Sequence, residues 1–227
     1  MYYDSTYILI IIAFLLSMAA SFGVKSTFSR YSGVNNMRGM TGRDAARQIL
    51  DRNGLYSVSI EHVAGELTDH FDPRANVIRL SDATYNSTSV AAIGVAAHEA
   101  GHAVQHAVGY VPIKVRNAFL PVANIGSGIS MPLFIIGLIL NMYQLALTGV
   151  IMFSAVLLFQ ILTLPVEFNA SRRALAVLSS SGILSDTEVK QAGKVLKAAA
   201  MTYVAAVAAT ALQLLRLLLI VNNRRRD

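Results

Sequence analysis

Three of the five histidines of this 227-residue chain fall in AAHEAGHAVQHA, residues 96–107, at positions 98, 102 and 106, with Glu99 beside the first. Residues four apart on a helix share a face, so these imidazoles are able to act together. His98, Glu99 and His102 make the pattern H-E-x-x-H. Its two histidines, one turn apart, suit a single zinc ion, and the glutamate between them suits a general base acting on the attacking water. A pattern this short also arises by chance. Against chance stand the scarcity of histidine elsewhere, the helix-forming character of the segment and Gly101, which admits a close neighbour.

A catalytic zinc takes three protein ligands and leaves a position open. The chain has no cysteine, so the third ligand must be His, Asp or Glu. His106 lies eight residues beyond His98, about 12 Å along a straight helix at 1.5 Å per residue, which is too far for both to hold one ion. The elongated motif with a third histidine would place Gly and His where this chain has Gln105 and Val108. His106 is therefore read as a supporting or structural residue, and His62 and His70 as surface or hydrogen-bonded ones. Glu167, the only acid in LPVEFNASRRAL, is the better third ligand. Its competing role is a simple ion pair with Arg172 or Arg173 at the head of a helix.

The elements that must bring position 167 back to position 98 are strongly apolar. Hydrophobic residues make up 54% of the chain and charged residues 14%, and the mean hydropathy is +0.51. That is too apolar for an ordinary soluble domain. Four stretches stand out: Tyr7–Val24, Phe119–Leu140, Leu145–Pro165 and Ala198–Val221. In the first, Lys25 and Arg30 follow the apolar run rather than precede it, which favours an uncleaved anchor over a signal peptide. Only Asn141–Gln144 joins the second and third, so these form a transmembrane hairpin. The hairpin occupies most of the 65 residues between His102 and Glu167 and returns the chain to its starting side.

Ten of the 19 Lys and Arg residues lie in 25–116 and five in 172–197, while 1–6 and 141–144 have none. The charge bias places the two basic regions in the cytoplasm. The fourth stretch carries Arg216 and runs into NNRRRD, so it either crosses as an exception to that bias or packs on the soluble part or the interface. The net charge of +6 is explained by basic loops beside membrane segments, and no nucleic-acid signature is present.

The soluble part, mainly 25–116, reads as small, helix-dominated α+β. TGRDAARQILDRNGL is a short amphipathic helix with Thr41 as cap and Gly54 past its end. NVIRLS, 76–81, is a strand. Ser87 or Thr88 caps a helix through the histidine motif to Gly109.

HEAGHAVQH, the apolar hairpin and PVEFNASRRA together resemble the YugP-type membrane neutral zinc metallopeptidases, and more distantly the HtpX heat-shock and CAAX prenyl proteases. The upstream LTDHFDPRANVIRLS is similar to that family as well. The resemblance implies His98, His102 and Glu167 as zinc ligands, Glu99 as catalytic base and a site facing the cytoplasm. It departs at Asn169, where the family usually has an acid, and at Ser171, where the distant relatives have one. A carboxylate that orients a ligand histidine is thereby expected to be missing.

The expected protein is a mainly α membrane protein with a zincin-like α+β metalloprotease domain. Its parts are an anchor (1–24), a catalytic region (25–118), the hairpin (119–165), a third-ligand helix and loop (166–197) and an apolar helix with a basic tail (198–227). It is expected in the plasma membrane as a Zn2+-dependent endopeptidase acting on membrane or misfolded proteins. Arg172, Arg173 and Tyr203 are candidate oxyanion donors, His106 and Asn169 candidate supports, and NVIRLS a candidate edge for pairing an extended peptide. Rival readings are a site-2-type intramembrane protease, a zinc transporter and a non-catalytic zinc-binding protein. The first lacks its later Asp-Gly motif here, and the second lacks metal-binding residues in the hairpin.

Overall fold

The computed structural model describes residues 6–224 and is mainly helical, with one small sheet. In order, the elements are α1 (Tyr7–Ser32), α2 (Gly42–Arg52), β1 (Ser59–Val63), β2 (His70–Asp72), β3 (Val77–Ser81), α3 (Val90–Ala107), α4 (Val111–Ile139), α5 (Tyr143–Ser180) and α6 (Asp186–Arg224). Four of the helices, α1, α4, α5 and α6, are long and apolar enough to cross a membrane. The chain divides into two compact units.

The first unit comprises residues up to 21, 114–165 and 201 onward. Here α4 and α5 run against each other closely enough that a Cβ on Gly126 would come within 2.6 Å of the Met152 carbonyl. One on Gly149 would meet the Ser130 carbonyl at the same distance. Small residues of this kind let membrane helices pack backbone to backbone. The turn between the two helices falls where the sequence places it. Asn141 adopts φ +57, and the Met142 amide donates back to the Gly137 carbonyl, which closes the end of α4. Outward-facing Phe14, Ile125 and Ile151 are each more than half exposed, an apolar surface that water would not tolerate over four helices. Arg216, inside the apolar part of α6, lies over the Tyr7 ring at 4.9 Å.

The second unit comprises 22–113 and 166–200. Its core joins Ile49 and Leu50 of α2, Ile78 and Leu80 of β3, Ile93, Ala96, Ala97 and Ala100 of α3, Leu178 of α5 and Leu196 of α6. Thr41 caps α2 through a reciprocal box with Asp44. The cap of α3 is Ser89, two or one residues later than expected, because Ser89 Oγ takes the Ala92 amide while Ser87 Oγ supports Ser89 itself. Gly109, at φ +64, ends the turn after α3.

One sequence expectation is corrected here. NVIRLS does form β3, but the strand order is β1-β3-β2, with β1 parallel and β2 antiparallel to it. Both edges of β3 are occupied, so it has no free edge to offer a peptide. Pro165 closes the third apolar stretch without ending its helix. It sits inside α5, which continues to Ser180 and carries Glu167 without a break. A proline removes one backbone bond and bends a helix, and neighbouring turns hold it together. Likewise the last apolar stretch is no separate helix but the continuation of α6 from Asp186. The basic tail beyond Arg224 lies outside the described residues.

Candidate metal centre

Three ligand-type side chains converge in the second unit. His98 and His102 stand one turn apart on α3, and Glu167 faces them from α5; their ligand atoms all lie within 4.8 Å of one another. The two Nε2 atoms are 3.1 Å apart, and Glu167 Oε2 lies 3.4 Å from that of His98 and 3.6 Å from that of His102. Four-coordinate zinc with bonds of about 2.0–2.1 Å separates its ligand atoms by about 3.4 Å, so these spacings fit such an ion. A second observation agrees. Apart from the two imidazoles 3.4 and 3.6 Å away, the buried Glu167 Oε2 has no hydrogen-bond partner among the described residues, a costly state for a carboxylate that a cation between the three groups would relieve.

The close approach of α3 and α5 depends on Gly101. A Cβ there would stand 2.9 Å from the Ala170 carbonyl, one turn beyond Glu167 on α5. The alanine face of α3, with Ala96, Ala97, Ala100 and Ala103, goes into the core. That leaves the histidine face toward Glu167, with each ring about 15% exposed.

Each histidine is held from behind by its other nitrogen. His98 Nδ1 is 3.1 Å from Ser171 Oγ, and His102 Nδ1 is 3.0 Å from Gln105 Oε1. At these two nitrogens the described partners are an amide and a hydroxyl rather than a carboxylate. Burial alone would lower the His102 pKa, but the Glu167 carboxylate facing Nε2 and the charge of Glu99 raise it above the ordinary imidazole value. Glu99 lies between the two histidines in sequence and is 8% exposed.

The remaining candidates fall in different places. His106 is exposed and packs edge-on against Phe71 of β2, ring centroids 6.0 Å apart, and is not part of the ligand group. Asn169 Oδ1 accepts from Gln105 Nε2 and from Arg173 Nε rather than from either histidine of the cluster. Arg172 is exposed, whereas Arg173 is half-buried over the Tyr110 ring. Tyr203 is exposed and belongs to the first unit. The residue that sequence reasoning missed is Gln105. It is fully buried, and its place three residues after His102 on a helix was the available signal.

Comparison with known proteins adds the chemical context. The model of a family described as "Putative neutral zinc metallopeptidase" matches residues 6–222. The chain belongs to this family. It is also 48% identical over 217 residues, 96% of each chain, to a Bacillus subtilis (strain 168) protein named "Putative membrane protease YugP". No solved structure matches the chain. The family's zinc agrees with the donor set, since two imidazoles and one carboxylate are a ligand set of catalytic zinc.

Proposed function

We propose that the protein is a membrane-anchored zinc endopeptidase whose zinc-like site is zincin in type, an H-E-x-x-H helix beside a small mixed sheet. The observation that carries this is the convergence of His98, His102 and Glu167 with an orphaned buried carboxylate oxygen at its centre, in a chain of the zinc metallopeptidase family. His98, His102 and Glu167 hold the ion. Bound there, zinc would supply Lewis-acid polarisation of the scissile carbonyl and of the attacking water. Glu99 takes the proton of that water and returns it to the leaving amine. Ser171 and Gln105 keep the two imidazoles aimed at the site.

An extended substrate needs a free strand edge. With β3 enclosed, the outer edge of β2 is the better candidate, because Phe71 packs that strand against α3 at His106. Substrates are membrane or misfolded proteins. The site faces the cytoplasm across the plasma membrane, as the basic residues of 25–116 and 172–197 favour.

Metal removal tests the reading. Purified protein in detergent should cleave casein, lose that activity on treatment with a strong chelator and regain it when zinc is returned. Cleavage that persists without metal would overturn the assignment.

A further inference from the structure

Gln105 lies at the centre of a chain of hydrogen bonds whose direction is dictated by its two ends. At the outer end Arg173 is a donor only, and its Nε gives a 2.8 Å bond to Asn169 Oδ1. Asn169 must therefore present its oxygen to this cluster. That oxygen also receives Gln105 Nε2 at 3.0 Å. The Val166 carbonyl is an acceptor only, and it too receives Gln105 Nε2, at 2.9 Å. Both demands fall on the amide nitrogen of Gln105, so its Oε1 must face His102. An oxygen there, 3.0 Å from Nδ1, requires the proton of the imidazole to sit on Nδ1. In the neutral ring Nε2 then carries the lone pair, on the side of Glu167 and His98.

We propose that Gln105, Asn169 and Arg173 form a polarity relay that selects the metal-binding tautomer of His102 before any ion arrives, with Gln105 as the positioning residue. The inference rests on His102 being a zinc ligand. It gives position 169 a role at one remove: Asn169 aligns the glutamine rather than a histidine. Gln105 is fully buried, so it has no water with which to exchange partners, and the Tyr110 ring beneath the Arg173 guanidinium, 5.9 Å away, steadies the outer end. His98 lacks such a device. Its partner, the Ser171 hydroxyl, both donates and accepts and is compatible with either tautomer.

The test uses the full chain in detergent, with zinc affinity measured by competition against a chelator. Gln105→Met, close in length but without donor or acceptor, should weaken zinc binding about 10–100-fold, the usual cost of removing a group that orients a ligand histidine. In zinc-loaded protein with 15N-labelled histidine, the Nδ1 proton of His102 should exchange slowly in the parent and rapidly in Gln105→Met, at unchanged helix content. Because Gln105 is buried, a second pair of variants guards against a folding defect. Arg173→Met should weaken zinc binding in the same direction, and Arg173→Lys, which keeps a donor-only end, should stay near the parent. Parent-like affinity and slow exchange in Gln105→Met would overturn the relay, and so would Met and Lys variants at position 173 that behave alike. His98→Ala is the control: if it keeps its zinc, the ligand set itself falls and the relay with it. If it loses zinc while Gln105→Met does not, only the relay fails.

Discussion

As the proposed ligand set, His98, His102 and Glu167 would combine two neutral imidazoles with one anion, so the carboxylate would supply its only charge. Removing it should cost as much metal as removing a histidine. Glu167→Ala is expected to lower the zinc content of the purified protein to the level of His98→Ala, whereas His106→Ala should stay near one ion per chain, as its ring packs on Phe71 instead. Metal analysis of the three variants decides this, and full zinc in Glu167→Ala would return the third ligand to His106 or His70. The histidines were legible because an i, i+4 pair on a helix is a local pattern. Glu167 was legible only by its isolation as an acid after an apolar hairpin. Gln105 was weighed only as the position where an elongated motif would have needed glycine, when its spacing from His102 already placed its amide within reach of the ring.

Among the elements, α3 depends on what α5 allows. The 2.9 Å approach at Gly101 leaves no room for a side chain against the Ala170 backbone. Gly101→Val should therefore destabilise the protein by about 1–3 kcal/mol, the typical range for overpacking. It should also lower zinc affinity, because the shift moves Glu167 away from α3. Thermal unfolding and chelator competition measure the two effects, and a valine variant with parental stability and affinity would contradict this packing. The Thr41 cap of α2 and the turn at Asn141 were readable from neighbouring residues alone. The order β1-β3-β2 was not, since pairing between strands distant in sequence leaves no local mark, and a β-branched run reads the same at an edge or at the centre. Pro165 is a related case: a proline signals a boundary locally, and only the flanking helix shows whether the helix stops there.

For the whole molecule, the basic residues on either side of the hairpin favour one orientation. A cysteine placed at Gln144, in the cysteine-free chain, should be labelled by an impermeant thiol reagent in intact cells, and one at Ser180 should not. The reverse pattern would put the metal centre outside. The apolar helices and the family were legible in composition and motifs. The continuity of α5 and α6 beyond their apolar stretches was not, because polar helix-forming residues carry no hydropathy signal. The central claim is that Glu99 moves a proton at a zinc held by His98, His102 and Glu167, and Glu99→Gln tests it most directly. Glutamine keeps the shape and leaves the ligands in place but cannot take the proton. The variant should retain parental zinc content and thermal stability while its rate of casein cleavage falls about 10²–10⁴-fold. Cleavage at the parental rate with zinc bound would contradict the account.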